Sequence, residues 1–200
     1  RHRECPVSGA QRVESAADRA ADLTRQMLAY SGRGRFVVES VDLGEVVRDM
    51  AQLLETSISK RARLRFELEH DLPFVEADLT QIRQVVMNLI TNASNALSDG
   101  HGTLLVRTAR RRIDASDLTA IATDGGELAP GYYVTMEVAD TGRGMDPEVR
   151  RRMFDPFFTT RHDGHGLGLA AVLGIIRGHR GAITVDSELG VGTSIVVYLP

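Results

Sequence analysis

Three asparagines, Asn88, Asn92 and Asn95, stand in the stretch NLITNASNA at positions i, i+4 and i+7. On a helix that spacing places them on one stripe, beside an apolar face of Val85, Val86, Leu89, Ile90 and Leu97. Each costs a helix interior roughly half a kcal/mol relative to alanine. What an asparagine offers in return is a neutral oxygen for a hard cation and an amide donor for phosphate oxygens. Mg²⁺ suits such a site, since it keeps several waters and takes few protein oxygens beside phosphates. The residues alone leave two readings open, a wet helix face and a metal edge.

Three more segments carry chemistry. In VADTGRGMD a strand ends at Asp140, followed by Gly142 and Gly144. A carboxylate there can accept a hydrogen bond from an exocyclic amine such as that of adenine, and the glycines let backbone approach a flat base. In DGHGLGLAAVLGII, Gly164, Gly166 and Gly168 precede and enter a helix. Amides at such a start form an anion cradle, aided by the helix dipole. No Lys-Ser/Thr follows, which excludes a Walker A loop, and no strand leads directly in, which argues against a dinucleotide fingerprint. Between them, FDPFFTTRHDG sets Phe154, Phe157 and Phe158 before Thr159, Thr160 and Arg161. It either packs into the core or closes over a nucleotide, with Arg161 reaching the terminal phosphates.

These groups need a scaffold. Val13, Ala16, Ala20, Leu23, Met27 and Tyr30 alternate by three and four, the seam of a helix packed along another helix. That helix lies either on the following domain or in a dimeric bundle, and Ser31–Arg35 reads as a linker. The chain therefore divides at 1–35 and 36–200. Asp42 and Glu45 start a helix running towards Lys60. Leu64, Phe66 and Leu68 alternate on a strand, and Asp78 with Gln81 caps the asparagine helix, which ends near Asp99–Gly100. TLLVRTARRRI and YYVTMEVAD are strands with period-two alternation, and Asp146-Pro147-Glu148 opens a short helix. A helix from about Leu167 to His179 and a terminal hairpin complete the order. The pattern predicts an α+β fold, a two-layer sandwich of a mixed, mainly antiparallel sheet covered on one face by helices.

Composition narrows the function. The 200 residues are 42% apolar and 26% charged, with a formal charge of -3 and pI near 6.1. That balance gives no reason to expect nucleic acid or an anionic membrane surface, and Arg110–Arg112 and Arg150–Arg152 read as solvated faces. The single cysteine, Cys5, excludes an internal disulfide and a cysteine-rich metal site. No apolar run approaches the ~20 residues of a membrane span. A cytoplasmic location is expected, with any membrane anchor outside this chain.

Taken in order, the segments resemble the ATP-binding half of a sensor histidine kinase, a family sharing the GHKL (Bergerat) fold of the Hsp90, gyrase and MutL ATPases. QVVMNLITNASNAL resembles its N box, DTGRGM its G1 box, FDPFFTTR its F box, GHGLGLA its G2 box and GVGT its last glycine box. AADRAADLTRQMLAYSGRGR resembles the second helix of the kinase dimerisation domain, especially in PAS-linked and hybrid kinases. The resemblance implies ATP and Mg²⁺ as cofactors, with Asn92 on the metal and Asn88 assisting. It implies that Asp140 takes the adenine amine beside Gly142, Gly144 and Met145, with Thr193 supporting that pocket. Gly164, His165, Gly166, Leu167, Gly168 and Leu169 would hold phosphates, with Asn95, Phe158 and Arg161 alongside.

Asn88 stands where hydrolysing relatives carry a glutamate base, and a neutral amide cannot take that role, so the resemblance implies phosphoryl transfer. Lysine, common in the family at the place of Asn95, is absent there, and His162 and His165 replace a frequent Gly and Thr. The family's phosphoacceptor histidine lies on a first dimerisation helix, tens of residues before the stretch that here begins at Ala16. His2 lacks its surroundings, and His70, His101, His162, His165 and His179 do not substitute for it. The expectation is a fragment without its acceptor, so no catalytic residue is assigned. The intact protein would be a homodimer through its helical bundle. It would transfer the γ-phosphoryl of ATP to a histidine for relay to an aspartate of a response-regulator receiver. A non-catalytic nucleotide-binding module and a GHKL-type ATPase are the alternatives.

Overall fold

The first described strand, β1 (Glu39–Val41), pairs antiparallel with β3 (Val75–Ala77), as Glu39↔Ala77 to Val41↔Val75. The structure is a computed structural model that describes residues 37–55, 62–97, 101–119, 121, 123–124, 126–161 and 164–200. The predicted seam of Val13–Tyr30, the linker at Ser31–Arg35, Cys5, Lys60, the helix end at Asp99–Gly100 and His162 lie outside these residues. This small two-stranded ladder was absent from the sequence reading, because three residues are too few to display a period.

The main sheet has five strands in the order β2-β4-β5-β7-β6. Strands β2 (Ala62–Leu68) and β4 (Gly102–Ile113) run parallel, while β4, β5 (Gly131–Asp140), β7 (Gly192–Leu199) and β6 (Ala182–Glu188) pair antiparallel in turn. The sheet is thus mixed and mainly antiparallel, as the sequence predicts. On β5, burial runs unbroken from Tyr133 to Met136 instead of alternating. The strand is central, and both of its faces are covered.

Among the described residues, three helices lie on one face: α1 (Leu43–Glu55), α2 (Leu79–Ala96) and α4 (Gly168–Gly178). Asp42 Oδ1 accepts the Glu45 N–H at 3.0 Å and starts α1. Val46, Val47 and Met50 of α1, Ile82, Val85, Val86, Leu89 and Ile90 of α2, and Val172, Ile175 and Ile176 of α4 share one core. Against them stand Leu104, Val106, Met136, Val138 and Val197 of the sheet. Fully burying each such side chain contributes roughly 1.5–3 kcal/mol, so this face dominates the fold's stability.

The opposite face is built differently. Arg107 bridges Glu67 (2.7 Å) and Glu137 (3.0 Å) across three strands, and Ser194 donates to Glu137 at 2.9 Å. Both carboxylates hold the Arg107 guanidinium above its ordinary value. At one end a second cluster of Ile113, Leu128, Tyr133, Ala182 and Tyr198 sits beneath the segment joining β4 to β5. That segment also protects the sheet edge: the Asp124 N–H donates to Ile183 O at 2.7 Å and Asp124 O accepts the Ile183 N–H at 3.1 Å. Arg150 of the short helix α3 (Pro147–Arg152) then donates to the Asp124 carboxylate at 2.7 Å.

Candidate functional site

Helix α2 starts at Asp78, whose Oδ1 accepts the Gln81 N–H (3.0 Å) and whose Oδ2 accepts the Val37 N–H (3.1 Å). The Asp78 N–H in turn donates to Nε2 of the buried His179 at 2.9 Å, and His179 Nδ1 lies 2.8 Å from Ile175 O. An acceptor at Nε2 leaves the ring proton on Nδ1, donating to that carbonyl. His179 caps the end of α4, so the start of one helix is bonded to the end of the other.

A second bond joins the same pair ten residues further along α2. Asn88 Nδ2 donates to the carbonyl of Gly168, the first residue of α4, at 3.2 Å. A Cβ placed on Gly168 would lie 3.7 Å from Asn88 Oδ1 and 3.8 Å from Asn92 Nδ2. Two of the three asparagines therefore lie against the start of α4, both half-buried, while Asn95 is exposed. The N-cap of α4, Leu167, makes no side-chain capping bond. The first N–H groups of any helix have no partner within it, and here the positive end of the helix dipole stands behind them.

Asn92 and Asn95, with Gly164, His165, Gly166, Leu167, Gly168 and Leu169, line one cavity of about 590 Å³. Phe158 and Arg161 line it too, as do Asp140, Gly144, Met145 and Thr193. Asn88 and Gly142 do not, and the reason is visible in each case. Asn88 is turned to Gly168, and a Cβ on Gly142 would sit 2.4 Å from Ala96 O. Gly142 thus allows the loop after β5 to close on the end of α2, where the Arg143 N–H donates to Ala96 O at 3.0 Å. Gly144 (φ +62°) lines the cavity but is pressed on the β6–β7 hairpin, 1.9 Å from Cβ to Glu188 O.

Asp140 ends β5 in register with Thr193 of β7 and is buried. Burial pushes its carboxyl above the ordinary value; N–H donation from Gly142 (2.8 Å) and Thr193, and the charge of Arg143, pull it back only in part. Apolar Val138, Leu189 and Ile195 line the same cavity. The phenylalanines divide: Phe154 packs on the main core, Phe158 lines the cavity beneath the Arg152 guanidinium (4.3 Å to the ring centre), and Phe157 is 61% exposed at φ +67°.

Sequence reasoning missed Thr91, Arg143, Asp146 and Leu189 as lining residues. Thr91 adjoins Asn92 on α2, and Arg143 and Asp146 fall inside the quoted VADTGRGMD, so proximity to the motif was the available signal. Leu189 reaches the cavity only through the fold of the hairpin, and no local pattern marks it.

A cavity with uncapped helix amides and asparagine amides along one part, and a buried carboxylate among apolar walls in another, fits a phosphorylated ligand with a flat, amine-bearing head. Fold and site together define a two-layer nucleotide-binding sandwich. The chain belongs to the histidine kinase-, DNA gyrase B- and HSP90-like ATPase family, which matches residues 77–200. It is similar to the sensor kinase CckA of Brucella abortus (strain 2308), at 41% identity over 190 residues, which cover 94% of this chain and 20% of that relative. The chain thus spans about a fifth of that relative's length. Among solved structures, full-length ShkA in complex with AMPPNP matches with a TM-score of 0.69 at 27% identity, over 98% of this chain and 40% of that one. Histidine kinase ThkA in complex with the response regulator TrrA matches with a TM-score of 0.66 at 26% identity, over all of this chain and 53% of that one. No described helix is long and apolar enough to cross a membrane.

Proposed function

We propose that this chain is the ATP-binding catalytic unit of a two-component sensor histidine kinase, directing the γ-phosphoryl of Mg·ATP to a histidine for relay to a receiver aspartate. The observation that carries the proposal is the uncapped start of α4 facing Asn92 in the same cavity that holds the buried Asp140. In this reading Asp140 accepts the adenine amine, with Gly144, Met145 and Thr193 around the base. The N–H groups from Gly164 to Leu169 and the Arg161 guanidinium hold phosphate oxygens. Asn92 offers its amide oxygen to Mg²⁺, which supplies charge neutralisation at the phosphates. Asn88 fixes α4 beside Asn92 through Gly168 and has one amide oxygen left for the metal shell. With an amide at position 88, the residues orient and neutralise, and they do not deprotonate water.

The AMPPNP complex of ShkA and the ThkA–TrrA complex support nucleotide binding and a receiver partner for this chain as well. Isothermal calorimetry tests the site: Mg·ADP binds the full chain, and Asn92→Ala or Asp140→Ala weakens it at least about tenfold, the loss of one charge-assisted contact. Unchanged affinity in both variants would sink the assignment. Phosphohistidine formed on a separate dimerisation-helix polypeptide added with ATP tests the transfer, and rapid release of inorganic phosphate without it would favour hydrolysis.

A further inference from the structure

Strands β4 and β5 are antiparallel neighbours, and about two to five residues would be enough to join them. Residues 114–130 take a longer route. Leu118 and Ile121 pack on the cluster of Tyr133 and Tyr198, and Asp124 reaches the outer edge of β6, two strands away from β5. There its backbone pairs with Ile183, and its carboxylate accepts the Arg150 guanidinium at 2.7 Å. The same Arg150 nitrogen lies 3.4 Å from Val185 O. The two side chains are only 27% and 31% exposed, so water screens this pair less than an ordinary surface one.

Arg150 belongs to α3, a helix of six residues with none of them buried. A helix this short does not hold itself in place. Asp146 caps its start, and Met153 enters the main core at its end. Between them the middle of the helix is tied outward by Arg150. Asp146, Val149 and Met153, spaced by three and four, line the nucleotide cavity on another side of the same turns. Asp124 does not line that cavity, yet it is bonded to the helix that walls it.

We propose that Asp124 is a positioning residue for nucleotide binding: through Arg150 it holds α3 as a wall of the cavity. The segment joining β4 to β5 thereby sets nucleotide affinity from outside the site. This rests on the nucleotide reading above. Without the ion pair, α3 can shift away from the cavity. A chain whose wall is in place only part of the time binds with its affinity reduced by that fraction.

The test is calorimetric titration of the full chain with Mg·ADP, beside a melting curve for each variant. Asp124→Asn is isosteric and keeps the backbone pairing with Ile183, and it should weaken ADP binding about three- to fivefold, the upper range for one partly exposed ion pair. Arg150→Gln should do the same, and the double variant should lose no more than either single one, because all three delete one bond. Arg150→Lys keeps a cation within reach and should restore most of the affinity. A clasp that is only structural would lower the melting temperature and leave ADP affinity unchanged. That result, or losses that add in the double variant, overturns the proposal and leaves the nucleotide site standing. A parent chain that does not bind Mg·ADP overturns both.

Discussion

Gly144 and Gly190 form a matched pair that isolates steric cost from backbone cost. Both have positive φ, +62° and +80°. A methyl on Gly190 meets nothing within 4 Å, whereas one on Gly144 would lie 1.9 Å from Glu188 O and 3.1 Å from Gly192 O. Alanine at either position pays the left-handed backbone penalty of about 1–2 kcal/mol. At Gly144 the hairpin must also recede by about 1.5 Å to bring Glu188 O to an ordinary 3.4 Å contact. That adds about 1–3 kcal/mol of overpacking. The move also strains the Gly190 N–H bond to Arg143 O, now 2.7 Å, a further loss of about 1 kcal/mol.

The totals are about 1–2 kcal/mol for Gly190→Ala and about 3–6 kcal/mol for Gly144→Ala. For a chain of this size each kcal/mol shifts the melting temperature by about 2–4 °C. Scanning calorimetry should thus show a drop of about 2–8 °C for Gly190→Ala and of about 6–24 °C for Gly144→Ala. Because Leu189 on the displaced hairpin lines the cavity, ADP binding should weaken in the second variant only. If the two variants melt together, the close approach of Glu188 O does not constrain the hairpin, and the steric argument fails.

Two further outcomes follow from buried polar groups. His179→Ala leaves the Asp78 N–H without its partner at the start of α2 and should cost about 2–4 kcal/mol in urea denaturation, from the orphaned donor and the lost ring; a loss within error of zero would dismiss the bond. The Asp140 carboxyl lies above its ordinary 3.8 in the folded chain, so the fold holds that proton more tightly than the unfolded chain does. Its contribution to stability is therefore present below that ordinary value and is lost as pH rises through the higher folded one. Asp140→Asn should flatten this part of the nucleotide-free stability–pH curve, and superimposable slopes in parent and variant would contradict it.

Periodicity made most of this fold legible. The strand Leu64-Phe66-Leu68, the cap at Asp78 and the proline-started helix at Asp146 all appear where local chemistry places them. The cavity residues were legible for a similar reason, since asparagine stripes and glycine-rich helix starts are costly locally and call for a partner. What escaped was tertiary. Asn88 and Asn92 look equivalent on a helical wheel, yet one turns to Gly168 and the other lines the cavity. Gly142 reads as room for a base but provides room for Ala96 O. His179 was read only as the end of a helix, and its role at the start of α2 escaped because its partner lies 101 residues away.

The two bonds between α2 and α4, at His179 and at Asn88, also act as registration pins. Apolar surfaces attract without regard to offset, so two helices packed only through valine, leucine and isoleucine could slip by a turn, about 5.4 Å, at little cost. Hydrogen bonds do not tolerate such slippage. Two of them, roughly 15 Å apart along α2, fix both the offset and the rotation of one helix on the other. Asn92, one turn beyond Asn88, and the free amides of α4 thereby keep a constant separation, as the two jaws of a gauge do. The bonds that set this gauge join the two helices directly, so the separation belongs to the fold itself.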